Sequence, residues 1–195
     1  MDLRQLVRTS KFLSLHLRHR PDRLGLELEP GGWVDVEALL AAAARYGQPI
    51  TRAELDEVVA SNDKRRFSFD PTGTRIRANQ GHSVAVDLHL PPVEPPPRLY
   101  HGTDERAAAA IAREGLRKMR RQHVHLSPDP ETARRVGARH GRPVVFEVDA
   151  AAMHAEGHTF FRAENGVWLV DAVPARFLRR RGPVDPDACA SRHPS

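Results

Sequence analysis

Apolar positions in the first third of the chain recur at helical spacing. Leu3, Leu6, Val7, Leu13 and Leu17 share one helical face, and Pro21 predicts that this helix stops near His19 or Arg20. Asp35 can cap a second helix that runs through Ala44 and ends at Gly47. Thr51-Arg52-Ala53-Glu54 has capping-box spacing and opens a third, to about Ala60. The period then drops to two. Arg66-Phe67-Ser68-Phe69 alternates as a strand, Asp70-Pro71-Thr72-Gly73 turns, and Thr74-Arg75-Ile76-Arg77 returns. Three helices followed by a basic hairpin is the order of a winged helix, an order that does not by itself establish function.

Between Leu90 and Pro97 stand five prolines, which fix φ and remove N–H donors, so an extended linker is expected there. Beyond it short strands and helices alternate. Leu99-Tyr100-His101, Val124-His125-Leu126, Val144–Val148, Thr159–Phe161 and Val167–Val170 read as strands. Helices are expected over Asp104–Arg113 and from Asp129-Pro130, a cap followed by an N1 proline. The class is α+β. Neither a GxGxxG fingerprint nor a GxxxxGK phosphate loop occurs.

Composition narrows the function classes. The longest apolar run, Ala38–Ala44, is too short to span a membrane. Met1-Asp2-Leu3-Arg4 lacks the apolar core of a secretory signal, and the single cysteine, Cys189, allows no internal disulfide framework, so a cytoplasmic setting is expected. Of 30 cationic residues only Lys11, Lys64 and Lys118 are lysines. That bias is what a GC-rich coding sequence produces, and equally what bidentate phosphate recognition requires. Basic clusters at residues 1–23 and 113–142 favour a surface for one polyanion.

Several clusters could carry chemistry. His123-x-His125 and His154…His158 have spacings open to a metal, but neither has a convincing third ligand, and no metal is expected. Arg18-His19-Arg20 closes the first helix at its C-terminus, where a phosphate would need side-chain charge rather than the helix dipole. Alone, each of these has a plain structural reading.

Taken in order, Leu17-Arg18-His19, Asn62-Asp63-Lys64-x-Arg66-Phe67, Arg75-Ile76-Arg77-Ala78-Asn79-Gln80-Gly81-His82-Ser83, Leu99-Tyr100-His101-Gly102-Thr103, Gln122-His123-Val124-His125-Leu126-Ser127, Gly141-Arg142-Pro143-Val144-Val145 and Asn165-Gly166-Val167-Trp168-Leu169 resemble the NAD-dependent RNA 2′-phosphotransferases of tRNA splicing. The resemblance runs from about residue 5 to residue 178. It implies a winged-helix-like RNA-binding lobe (residues 1–90) and an NAD-binding lobe of the ADP-ribosyltransferase type (99–181) on either side of the Pro-rich linker (91–98); the tail (182–195), which the resemblance does not cover, is expected to be disordered. It implies that NAD is a co-substrate and that an internal RNA 2′-phosphate is transferred to it. The path would run through an ADP-ribosylated RNA phosphate to 2′-hydroxyl RNA, ADP-ribose 1″,2″-cyclic phosphate and nicotinamide.

The resemblance also implies residue roles. The catalytic set falls on Arg18, His19, Arg66 and Arg121, with the step served by His19 left open. NAD contacts fall on His101, Gly102, Thr103, His125 and Ser127, with His123 an alternative to His125 if the strand register differs. Arg75, Arg77, Asn79 and Gln80 would track RNA, while Asp63-Lys64 would order the loop holding Arg66. Glu164 is read as incidental, because an anionic acceptor needs no base. A monomer is expected. Two rivals stand beside this reading: an ADP-ribosyltransferase capping terminal phosphates of RNA or DNA, and a non-catalytic winged-helix nucleic-acid-binding protein.

Overall fold

Six helices open on a side chain that the sequence supplies for the purpose. In the computed structural model, which describes residues 1–61, 65–139 and 141–182, Asp2, Asp35, Thr51, Asp104, Asp129 and Asp149 each accept a hydrogen bond from a first-turn backbone N–H. Such a cap contributes about 1 kcal/mol. The expected roles of Asp63-Lys64 and the expected tail beyond Gly182 lie outside the described residues.

The chain forms two compact units: residues 1–92 together with 118–123 and 161–167, and residues 93–117 with 124–160 and the chain from Trp168. The first division falls inside the Pro-rich stretch. The two short returns to the first unit are not contained in a linear boundary.

The first unit holds α1 (Leu3–Arg18), β1 (Trp33–Asp35), α2 (Val36–Arg45), α3 (Arg52–Ala60), β2 (Phe67–Phe69) and β3 (Arg75–Ala78). β3 lies between β1 and β2 in an antiparallel sheet, Ile76 facing Val34 on one side and Phe69 on the other. β1 was not expected; three residues carry no readable alternation. Leu13, Leu17, Leu39, Leu55 and Ile76 are fully buried in this core, each contributing about 2 kcal/mol through lost apolar exposure. The expected α1 face needs correction. Leu3 and Val7 are 76% and 44% exposed, while Thr9, Leu13, His16 and Leu17 are buried and Leu6 packs against the core, so the face that meets the core is rotated away from Leu3 and Val7.

The second unit contains β4 (Arg98–Asp104), α4 (Glu105–Glu114), β5 (Leu116–Arg117), β6 (Val124–Leu126), α5 (Pro130–Gly137), β7 (Pro143–Asp149), α6 (Ala150–Ala155), β8 (Phe160–Arg162, whose last two residues belong to the first unit), β9 (Trp168–Val170), β10 (Ala172–Val173) and β11 (Leu178–Arg180). β7 lies between β4 and β11, β6 pairs with β9, and β5 with β10, all antiparallel. The short α6 and strands β5, β10 and β11 had no sequence signal. Leu99, Val148, Met153 and Phe160 anchor its core.

α5 crosses β4 backbone to backbone. A Cβ on Gly102 would lie 1.6 Å from the Ala133 carbonyl oxygen, and one on Gly137 would lie 2.5 Å from that of Thr103. Glycine at 102 is therefore demanded by packing within this unit, apart from any cofactor. Backbone cannot yield as a side-chain tip can, so Gly102→Ala is expected to cost about 3 kcal/mol or more. For a chain of this size that lowers the melting temperature by roughly 10 °C. A melt indistinguishable from wild type would show that α5 does not rest on β4 in this way.

Candidate active site

α1 ends where its sequence says it must, with His19 as C-cap and Pro21 two residues on. That end is tied down from outside the helix: the Ser83 N–H donates to the Arg18 carbonyl at 2.9 Å. Arg18 reaches towards the chain entering β2, its Nη2 lying 3.5 Å from the Arg66 carbonyl and its guanidinium 5.9 Å from the Phe67 ring centre. Its Nε is buried without a hydrogen-bond partner. Burial, and then the charges of Arg66 and Arg121, push the Arg18 guanidinium down to about 10.

Arg66 follows a strained residue. Arg65 has φ of +38°, a left-handed conformation uncommon outside glycine. It is held there by Asn79, which is buried and donates from Nδ2 to the Arg65 carbonyl at 2.7 Å and from its backbone N–H to the Arg66 carbonyl at 2.9 Å. Arg121 is placed through its neighbour. The Gln122 N–H donates to the His82 carbonyl at 3.2 Å, and its Nε2 to the Val84 carbonyl at 2.9 Å. Desolvation also lowers the Arg121 guanidinium from its ordinary value. The structure thus brings together Arg18, His19, Arg66 and Arg121, and the segment Asn79–Val84 holds the backbone beside each of them.

His19 keeps its Nδ1 at 2.9 Å from Ser83 Oγ. Burial, with Arg18 and Arg121 adding to it, lowers its pKa and favours the neutral ring. Behind it lies His82, 2% exposed, with neither ring nitrogen hydrogen-bonded. Burial chiefly, then Arg18, His19 and Arg77, push His82 down to about 4. The charged groups acting on Arg18, His19 and His82 all bear one sign. The arrangement is a positive, partly dehydrated cluster that favours an anion. His82 and Ser83 were given no role by sequence reasoning; they lie in irregular backbone, where periodicity says nothing of burial.

The residues expected to track RNA divide differently. Arg77 pairs with Glu164, donates to the Gly31 carbonyl at 3.4 Å and lies 4.5 Å from the Trp33 ring centre, so its guanidinium is engaged within the fold. Asn79 is buried, as described, and Gln80 is half-buried. Arg75 is on the surface, beside Asp70 and Glu29 at 3.4 and 3.6 Å. These partners differ from an exposed row of four phosphate contacts. Glu164 is not incidental to the structure: besides Arg77 it accepts from Ser68 Oγ at 2.6 Å. Burial opposes its ionisation, but those two bonds prevail and hold its carboxyl below the usual range.

In the second unit, His101 is half-buried with Nδ1 at 3.1 Å from the His125 carbonyl. Burial lowers its pKa against that bond. A carbonyl only accepts, so Nδ1 carries the proton and Nε2 is left as an acceptor. Tyr100 and Ser127 exchange backbone hydrogen bonds of 2.9 and 2.7 Å, which joins the chain carrying His101-Gly102-Thr103 to that carrying His125 and Ser127. His123 belongs to the first unit, its ring 5.8 Å from that of Phe161. Among the described residues no three His, Cys, Asp or Glu side chains gather as a metal site, and no helix is long and apolar enough to cross a membrane.

The burial of His82 has a consequence for stability. Its pKa of about 4 lies below the ordinary 6.5, so between these values the unfolded chain binds the proton and the folded one does not. Stability from this group is complete above pH 6.5 and declines as pH falls towards 4, by about 3 kcal/mol in all. Denaturant titrations across that range should show a shallower decline for His82→Gln than for wild type. Parallel curves would mean that His82 titrates in the folded protein as it does in the unfolded chain.

Comparison with known proteins covers most of the chain. The model of the family described as RNA 2′-phosphotransferase, Tpt1 / KptA family, matches residues 4–172. A protein of Streptomyces griseus named "Probable RNA 2′-phosphotransferase" is 63% identical over 189 residues, covering 93% of this chain and all of the relative. Proteins of the same name from Streptomyces coelicolor and Trichormus variabilis are each 61% identical, covering 94% and 91% of this chain and 100% and 98% of theirs. A match of this extent, taking in both units, places the chain in the RNA 2′-phosphotransferase, Tpt1 / KptA family.

Proposed function

We propose that this chain removes an internal 2′-phosphate from RNA by transferring it to NAD. The observation that supports the reading is that Arg66 and Arg121 both act on Arg18, which neighbours His19, with the Arg18 guanidinium partly dehydrated among charges of its own sign. A dianionic phosphate would relieve the like-charge repulsion on Arg18 and supply acceptors for bidentate guanidinium contacts.

The first unit is read as a winged-helix-like RNA lobe and the second as an ADP-ribosyltransferase-like lobe that holds NAD. His101, Gly102, Thr103, His125 and Ser127 are the residues that would hold it. The acceptor at His101 Nε2 suits a sugar hydroxyl, which supports the assignment. NAD supplies an electrophilic ribose carbon and, as the bond to nicotinamide breaks, a leaving group that keeps the electron pair and departs neutral. A 2′-phosphate oxygen takes that carbon and needs no general base, being already an anion.

In the second step the adjacent ribose hydroxyl forms a bond to phosphorus while the bond to the RNA 2′-oxygen breaks. The hydroxyl gives up a proton and the departing oxygen gains one. Negative charge builds on the non-bridging oxygens, and Arg18, Arg66 and Arg121 stabilise it. His19 contributes a donor to the same phosphate.

Only interactions stronger in the transition state than in the ground state accelerate a step. The second step gathers the charge, so loss of one guanidinium should slow it by roughly 3–4 kcal/mol. Arg121→Ala is expected to accumulate the ADP-ribosylated RNA phosphate, and Arg121→Lys to do so less, since lysine lacks the planar fork. A time course on an oligonucleotide with one internal 2′-phosphate, resolving substrate, intermediate and product, checks this. Equal slowing of both steps with no intermediate would give Arg121 a uniform binding role. Nicotinamide release without loss of phosphate in the wild type, on an end-phosphorylated strand, would instead favour terminal capping.

Three guanidiniums perform the charge neutralisation for which many phosphoryl transfers use a divalent ion. Turnover is therefore expected to be unchanged by a chelator. Loss of turnover restored by magnesium or zinc would overturn this part of the mechanism.

A further inference from the structure

The hydrogen bond between His19 Nδ1 and Ser83 Oγ has a direction that its surroundings determine. The hydroxyl reaches the ring at 2.9 Å from a segment anchored on the same helix end, through the Ser83 N–H on the Arg18 carbonyl at 2.9 Å. A serine hydroxyl can donate or accept. The ring can do one or the other at Nδ1, according to its tautomer. Burial and the charges of Arg18 and Arg121 favour the neutral imidazole, which has a single N–H.

Were that N–H on Nδ1, it would be spent on Ser83, and Nε2 would turn a lone pair towards whatever anion the arginines hold. Phosphate oxygens only accept, so a lone pair there meets another. With the proton on Nε2 the conflict disappears, and Nδ1 needs a donor. Ser83 is placed to be that donor.

We propose that Ser83 is a positioning residue for His19: its O–H donates to Nδ1, fixes the ring proton on Nε2, and thereby gives the phosphate a fourth donor beside the three guanidiniums. This rests on the reading that His19 contacts the transferred phosphate. The contribution of Ser83 is indirect and passes through one ring. Its side chain is exposed, so it can be changed with little effect on packing.

The tautomer is measured in the full chain by nitrogen-15 spectroscopy of labelled histidines, with His19 identified by its absence in His19→Ala. The expected result is a protonated Nε2 and a bare Nδ1 in the wild type, and a mixture of tautomers in Ser83→Ala. In turnover of an internally 2′-phosphorylated oligonucleotide, Ser83→Ala should lower kcat about tenfold, the scale of one lost hydrogen bond. Ser83→Thr, which keeps the hydroxyl, should recover most of it. In a His19→Ala background Ser83→Ala should cost nothing more, since its effect is transmitted through the missing ring.

A proton on Nδ1 in the wild type overturns the proposal. So does the same fold loss from Ser83→Ala in both backgrounds, the mark of a structural role. A wild-type chain that removes no 2′-phosphate would instead overturn the function proposed above, and the tautomer would still decide what Ser83 does to His19.

Discussion

Positive charge held close to positive charge, with part of its water removed, is the constraint on which the first unit is organised. Two like charges about 4 Å apart near a protein surface repel by roughly 4 kcal/mol. Arg18 feels both Arg66 and Arg121, and His19 and His82 feel Arg18 in turn. The backbone that carries them is fixed by contacts of its own.

Those contacts run through one short stretch. Asn79 grips the chain at Arg65 and Arg66, Ser83 the end of α1, and His82 and Val84 the residue after Arg121. Three distant parts of the sequence are thereby indexed to a single segment, which β3 delivers and Gly81 turns with φ of +89°. Ordinary neutral hydrogen bonds, together with the core beneath, hold that backbone. Neutral His82 fits the same logic: an imidazolium there would add one more like charge to the cluster.

Much of this was legible in the residues, and what was not has physical causes. The α+β class, the helix caps and the β2–β3 hairpin follow from local rules that act over a few residues, and Thr51-Arg52-Ala53-Glu54 forms its capping box as spaced. Arg18, His19, Arg66 and Arg121 were legible only through resemblance, because no local rule links positions so far apart. Arg77 shows the opposite failure. An arginine on a basic hairpin looks free in one dimension, and its partners Glu164 and Trp33 come from elsewhere in the chain. Very short strands such as β1 and β5 exist by pairing alone and leave no alternation to read.

The same electrostatics explains why the cluster is made of arginine. Burial and its cationic neighbours lower Arg18 to about 10, where it remains almost wholly protonated at neutral pH. A lysine starts nearer neutrality, so the same burial and the same neighbours would leave more of it uncharged at neutral pH. The neutral fraction would rise further as partners were added, since each new cation lowers the next. Lysine clusters therefore discharge themselves as they grow dense and dry, whereas arginine clusters do not. Three cations held close together, one of them partly buried, are restricted to guanidinium on this ground before hydrogen-bond geometry is considered.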